Sequence, residues 1–141
     1  DVRTPSDVPT RVEIIRSREA FDKDRSAFRK RWARKESTLR RRIQRAREAL
    51  DSVDTPANLL ETAAKLCLAL GTDGLRGELT LVRSARALAA FNNNSTATLE
   101  HLKAIAPSVL RHRLRRDPLD ESSADIRVER VIAELFNDCD D

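Results

Sequence analysis

Apolar side chains recur every three or four residues along most of this chain, the spacing that places them on one face of an α-helix. The clearest example is segment 59–70, where six residues follow this spacing: Leu59, Leu60, Ala63, Leu66, Cys67 and Leu70. Only three of the 141 residues are glycine and 35% are charged, a composition typical of helix-rich proteins. The sequence therefore predicts an all-α fold.

The same spacing divides the chain into three parts. Residues 1–54 are predicted to form a connecting helical arm with one long basic helix, residues 55–136 a compact bundle of four helices, and residues 137–141 a frayed tail. A weak apolar stripe between Ala33 and Thr38 allows a break in the long helix. The bundle helices are expected at about 55–70, 78–91, 98–116 and 124–136, with Pro107 kinking the third of them.

The long helix of the arm carries a strong excess of positive charge. Between Arg25 and Glu48 the sequence holds eleven Lys and Arg residues against two Glu, a balance of 11 − 2 = +9. Three interpretations are open: a solvated helix face, a surface for an acidic protein, or a basic module that binds nucleic acid. The apolar residues of this helix recur at helical spacing and form a narrow stripe that is expected to be buried: Phe28, Trp32, Leu39, Ile43, Ala46 and Leu50. Because Phe28 and Trp32 both fit this stripe, a stacking platform for bases is poorly supported, and nucleic acid is not the expected partner.

An arginine in a short segment between two glycines is the strongest candidate for a functional residue. Arg76 lies between Gly74 and Gly77, just ahead of an alanine-rich helix that also carries Arg83 and Arg86. Glycine allows tight turns and close approach to a ligand, and an arginine at a helix entrance is well placed to hold phosphate. The alternative is an ion pair of Arg76 with Asp73 or Glu78, and for Arg83 and Arg86 a solvated face or local ion pairs. The pattern alone leaves both interpretations open.

The remaining signals for catalysis are weak. No phosphate-binding loop of the form G-x-x-x-x-G-K-[ST] occurs, and Ser84, Ser95 and Ser108 have no partners in a Ser-His-Asp pattern. His101 and His112 lack other ligands at metal-binding spacing. We therefore expect no catalytic residue and no metal site within this chain. The basic run around His112 is interpreted as holding a helix C-terminus or contacting a partner.

The setting of the chain is predicted from its cysteines and its apolar runs. Cys67 lies among leucines, where a small buried side chain is expected, and Cys139 lies in an acidic tail. The two do not suggest a disulfide, and a reducing compartment is the simpler interpretation. No apolar run is long enough to cross a bilayer, and no secretory signal segment is evident. The expected localisation is cytoplasmic, with no membrane span.

Several blocks of this sequence resemble the C-terminal part of the I-type ATPase subunits of magnesium chelatase, nearest to the version of the bacteriochlorophyll pathway. The resemblance covers nearly the whole chain, and the blocks occur in the right order. The blocks are residues 66–81 (LCLALGTDGLRGELTL), 83–90 (RSARALAA), 110–119 (LRHRLRRDPL), 1–5 (DVRTP) and 11–16 (RVEIIR). The resemblance implies the helical lid of an AAA+ motor whose ATP hydrolysis drives Mg²⁺ insertion into protoporphyrin IX in bacteriochlorophyll and chlorophyll biosynthesis.

The resemblance also implies roles for residues and partners. Arg76 matches the sensor-2 arginine, which contacts the γ-phosphate of ATP, with Gly74, Gly77, Arg83 and Arg86 as possible support. ATP and Mg²⁺ would be bound mainly by a domain that precedes the part seen here. The implied partners are copies of the same subunit in a ring, a D-type subunit and a large porphyrin-binding subunit. The chain departs from the family pattern at residues 92–95 (NNNS), where a Glu-Gly turn is expected.

Overall fold

The fold is seen in a computed structural model that describes residues 4–72, 74–114 and 124–137. Those residues form six α-helices and one short 3₁₀ turn, and they contain no β-strand. The helices are α1 (Val8–Lys23), α2 (Arg25–Ala49), α3 (Ala57–Ala69), α4 (Arg76–Phe91), α5 (Leu99–Leu110) and α6 (Ala124–Asn137), with the 3₁₀ turn at Leu50–Ser52. The predicted all-α fold is confirmed.

The contacts divide the chain into two compact units, residues 1–41 and residues 42–141. The sequence placed its boundary at 54/55, whereas the contact division falls at 41/42, because Ala46 and Leu50 pack against the core of the second unit. The further division into arm, bundle and tail stays a prediction.

The first unit is held by helix caps and a row of aromatic rings. The Asp7 carboxylate accepts a hydrogen bond from the Thr10 backbone N–H at 2.8 Å and begins α1. The Asp24 side chain caps the start of α2 in the same way, accepting from the Ala27 N–H at 2.9 Å. Phe21 and Phe28 pack edge to face with 5.5 Å between ring centroids.

The long helix α2 is continuous through residues 33–38, so the break that the weak stripe allowed does not form. The stripe predicted to be buried is largely exposed: Trp32 is 37% exposed, Leu39 50% and Ile43 39%. The helix nevertheless forms because arginine, lysine and alanine have high helix propensity. Near its C-terminus Ala46 packs against the core of the second unit, and so does Leu50, the first residue of the 3₁₀ turn that follows.

The core of the second unit lies between α3, α4, α5 and α6. Leu59, Leu66, Leu81, Leu102 and Leu110 are fully buried in it. Alanines on the inner face of α4, Ala85 and Ala89 among them, are also fully buried, and their small side chains allow close packing against neighbouring helices.

Two of the differences from the expected helix boundaries concern α4 and α5. Helix α4 begins at Arg76, two residues earlier than expected, so Gly77 lies inside its first turn. Helix α5 ends at Leu110 and contains Pro107. The last part of the third expected bundle helix, residues 115 and 116, lies outside the described residues, as do residues 117–123 and residues 138–141 of the predicted tail.

Candidate functional site at the start of α4

The turn that presents Arg76 starts from a glycine that ends α3. Gly71 has φ +65°, and its N–H donates to the Leu68 carbonyl at 3.0 Å while the Thr72 N–H donates to the Cys67 carbonyl at 3.1 Å. This pair of hydrogen bonds is the Schellman ending of a helix, which favours glycine because a Cβ is strained at positive φ. These bonds explain why α3 ends close to residue 70, where the sequence predicted its end.

The two glycines beside Arg76 act differently. Gly74 has φ +65° and open space around it, so its requirement is backbone conformation. Gly77 has helical backbone but no space, because a Cβ there would lie 3.1 Å from Thr72 Oγ1 and 3.4 Å from Cys67 Sγ. Gly77 therefore lets the first turn of α4 pack directly on the end of α3.

Cys67 forms the floor of this contact and is fully buried. Burial raises the pKa of the Cys67 thiol, and this effect exceeds the opposing hydrogen bond from the side chain of Thr72. The thiol therefore acts as a small apolar side chain between α3 and α4. The sequence prediction of a buried Cys67 is confirmed.

Arg76 is the first residue of α4, and its side chain is exposed. Its backbone carbonyl accepts a hydrogen bond from Thr80 Oγ1 at 2.7 Å, which fixes the first turn. Within the described residues its guanidinium makes no hydrogen bond or ion pair, so the pairing with Glu78 considered from the sequence does not form. The other considered partner, Asp73, lies outside the described residues.

Arg83 and Arg86 have different environments. Arg83 is exposed, and because it follows Arg76 by seven residues the two lie on the same side of α4, two turns apart. Arg86 is half-buried, and its Nη2 donates to the Leu50 carbonyl at 2.9 Å. Arg86 is therefore a structural residue that holds the 3₁₀ turn against α4, and of the two only Arg83 has a free guanidinium among the described residues.

The structure also brings Arg113, which the sequence analysis did not single out, close to this site. Its Nη2 lies 3.5 Å from Thr80 Oγ1, the same hydroxyl that donates to the Arg76 carbonyl. No local spacing links Arg113 to Arg76, so only the tertiary structure reveals their proximity. A second missed residue is His101, whose buried ring caps the start of α5; the signal available was its place three residues after Thr98.

Neither a metal centre nor a membrane segment is found in the part of the chain that the structure describes. In residues 4–72, 74–114 and 124–137 no group of three or more His, Cys, Asp or Glu side chains is arranged to hold an ion. None of the helices formed by those residues is both long and apolar enough to cross a bilayer.

The helices α3 to α6 form a small bundle with an exposed arginine at the first residue of α4. The AAA lid domain family matches residues 60–134, just over half of the chain, and the chain belongs to this family. Its sequence corresponds to the C-terminal part of magnesium-chelatase 38 kDa subunits, which confirms the resemblance seen in the sequence.

Three relatives illustrate the match. The chain is 53% identical over 137 residues to the magnesium-chelatase 38 kDa subunit of Acidiphilium rubrum, covering 97% of this chain and 40% of that protein. For the 38 kDa subunit of Cereibacter sphaeroides the identity is 52% over 136 residues, with 96% and 41% covered. For the chloroplastic magnesium-chelatase subunit ChlI of Oryza sativa subsp. japonica it is 37% over 135 residues, with 96% and 32% covered. The chain thus spans about two fifths of the length of the bacterial relatives.

Solved structures match as well, among them one described as a modelling of the complex between subunits BchI and BchD of magnesium chelatase from a cryo-EM reconstruction. The two are 46% identical in sequence, and the match covers 90% of this chain and 38% of the other chain, with a TM-score of 0.40. The family assignment rests on the sequence matches.

Proposed function

We propose that this chain is the lid, sensor-2 and subunit-contact region of the AAA+ motor subunit of magnesium chelatase. In that role it couples ATP hydrolysis to Mg²⁺ insertion into protoporphyrin IX in bacteriochlorophyll or chlorophyll biosynthesis. The observation that carries the proposal is the exposed guanidinium of Arg76 at the first residue of α4, without a partner among the described residues.

The residues at this site fit one contact to a phosphate. The backbone N–H groups of the first turn of α4 and the Arg76 guanidinium both favour an anion, and Gly77 keeps the turn packed on α3. The sequence lacks a phosphate-binding loop, so the remaining contacts to ATP and its Mg²⁺ belong to other parts of the assembly. Bound ATP would supply the phosphoryl group whose transfer to water releases the free energy for metal insertion.

A contact at Arg76 has a rigid element through which to act. The inner face of α4 is fully buried at Leu81, Ala85 and Ala89, so a shift of its first turn moves the helix against α3 and α5 as one body. Loss of the γ-phosphate would remove the anion that Arg76 holds. The lid would then report hydrolysis as a change in its position.

The same proposal covers partners and place in the cell. The proposed partners are copies of the subunit in a ring, a D-type subunit and a large porphyrin-binding subunit, and the proposed localisation is cytoplasmic. We expect the 141-residue chain by itself to hydrolyse no ATP, since it lacks the phosphate-binding loop.

The proposal is tested with Arg76→Ala in the full-length subunit, assembled with its partners. We expect ATP turnover and Mg²⁺ insertion to fall by about tenfold or more, because a cation at developing phosphoryl charge is lost. Arg76→Lys keeps the charge but not the planar fork, and should retain part of the rate.

The matched control is Lys65→Ala, which removes an exposed cation from α3. It should leave both rates unchanged. Wild-type rates for Arg76→Ala would remove Arg76 from the proposed role, and equal losses for Lys65→Ala would point to general charge effects instead.

A further inference from the structure

A groove of about 450 Å³ lies between α3 and α4 in the second unit. Its α3 wall is formed by Leu60 and Ala64, and its α4 wall by Leu79 and Val82. The other lining residues are Thr55, Leu75, Glu78, Arg83 and Arg86.

The apolar part of this groove is unusually exposed. Leu75 is 74% exposed, Leu79 54% and Leu60 48%, and all three line the same groove. Single exposed leucines are ordinary on protein surfaces, whereas several around one concave site indicate a place where another molecule binds. Leu75, Leu79 and Val82 follow the spacing i, i+4, i+7, so one side of α4 presents an apolar row that a second helix can contact.

The charges beside the apolar row determine which helix fits. Arg83 lines the groove, is exposed, and has no partner among the described residues. Arg86 also lines the groove, but its Nη2 is held by the Leu50 carbonyl, so it adds positive charge at a fixed place. Glu78 is half-buried, and its Oε2 is out of contact with solvent. The groove lining therefore holds two arginines against one carboxylate, a balance of 2 − 1 = +1, and Arg83 is the most exposed of the three charged residues.

We propose that the groove between α3 and α4 is a docking site for an amphipathic, acidic helix of another protein. Leucine-like side chains of that helix fill the space between Leu60 and Leu79, and a carboxylate on the same helix pairs with Arg83. Apolar anchors give the affinity, and the charge pair sets the direction of the helix. This inference does not depend on the role of Arg76.

The probe is a synthetic, fluorophore-labelled, alanine-rich helical peptide of about 18 residues. It carries leucines at i, i+4 and i+7 and one glutamate beside the last leucine, and its binding to the 141-residue chain is measured by anisotropy. We expect saturable binding that weakens by about tenfold or more in Leu79→Asp and in Leu60→Asp, which lies on the facing helix. Arg83→Glu should weaken binding about fivefold, and a peptide with lysine in place of its glutamate should restore it.

Two variants serve as matched controls. Leu39→Asp changes a leucine that is 50% exposed, close to the value for Leu79. Leu39 is not among the residues that line the groove. Lys65→Glu reverses an exposed charge on α3 without touching the groove lining. Both should bind like the unmodified chain, and circular dichroism should show the same helix content for every variant.

Other results would overturn the proposal. These are the absence of saturable binding, equal losses in Leu39→Asp and Leu79→Asp, or no rescue of Arg83→Glu by the lysine peptide. Sedimentation of the chain alone supplies a further check. If it dimerises and Leu79→Asp makes it monomeric, the occupant is a second copy and not an acidic helix of another protein.

Discussion

The guanidinium of Arg42 lies over the ring of Phe91, with 3.8 Å between its central carbon and the ring centroid. Its Nε donates to the Phe91 carbonyl at 2.9 Å, and its Nη2 donates to Asn92 Oδ1 at 3.1 Å. One side chain thus satisfies a carbonyl at the C-terminus of α4, where a cation is also favourable. This contact joins residue 42 to residues 91 and 92 within the second unit.

Arg42→Ala should destabilise the second unit by about 1 to 2 kcal/mol, since it removes a cation–π contact and two hydrogen bonds. Urea unfolding followed by circular dichroism measures the change. Arg41→Ala is the control, because Arg41 is the adjacent exposed arginine, whereas the contacts to Phe91 and Asn92 are made by Arg42. Equal effects of the two substitutions would show that the interaction with Phe91 contributes nothing.

Gly77→Ala should destabilise the chain by about 1 to 3 kcal/mol, because the new Cβ would lie 3.1 Å from Thr72 Oγ1. Thr72→Ala removes that oxygen, so the double variant should recover part of the loss. A double-mutant cycle on unfolding free energies measures the coupling. Purely additive effects would contradict close packing between these two positions.

Asn93 occupies a position with φ +63°, and its N–H and that of Asn94 donate to Ala90 and Ala89 in the pattern that ends a helix. Asn93→Gly should therefore stabilise the chain by about 0.5 kcal/mol, and Asn93→Val should destabilise it by about 1 to 2 kcal/mol. Thermal unfolding of both variants measures the two effects. Stabilisation by valine would contradict the left-handed backbone at this residue.

His101 is 7% exposed, and its Nδ1 accepts a hydrogen bond from the Thr98 backbone N–H at 3.1 Å. His101→Gln should keep the stability within about 0.5 kcal/mol, because glutamine at this position also reaches back to the cap residue. His101→Phe keeps the bulk but loses the acceptor, and should lower the unfolding free energy by about 1 kcal/mol. Similar values for both substitutions would show that packing, not capping, is the role of the ring.

The basic helix supplies a test of the alternative function, a module for nucleic acid or an acidic protein. Its aromatic rings are already covered by cations of the same chain, since Arg31 lies over Phe28 and Lys35 over Trp32. Covered rings disfavour the stacking of single-stranded bases. We also expect no tight binding of a duplex near 0.15 M salt, where exposed charges more than about 8 Å apart are largely screened. Tight binding that falls steeply with salt and is lost on substitution of Arg40, Arg41 and Arg42 would favour the alternative function instead.

Much of the fold could be predicted because its signals are local. The end of α3 at Gly71 and the last helix from Ala124 follow from residues a few positions apart. The burial of the arm could not be predicted in this way, and the expected buried stripe at Trp32, Leu39 and Ile43 is exposed. Helical spacing shows which side chains share a face, but not whether another element covers that face.

The candidate site shows the same division. From the sequence Arg76 was the leading candidate, with Arg83 and Arg86 as possible support. The structure separates the two supporting residues: Arg86 is bound to the Leu50 carbonyl, whereas Arg83, like Arg76, is free among the described residues. The role of Arg76 as a nucleotide sensor stays a prediction.

The sequence by itself determined the helices, the glycine-containing turn between α3 and α4, and membership of the AAA lid family. Helix propensity, capping and motif order are properties of neighbouring residues. Only the tertiary structure decided which cations are used internally and which face solvent. Arg42 meets Phe91 and Arg86 meets Leu50 across 49 and 36 residues of sequence, and such contacts arise only when the packed core sets the distance between helices.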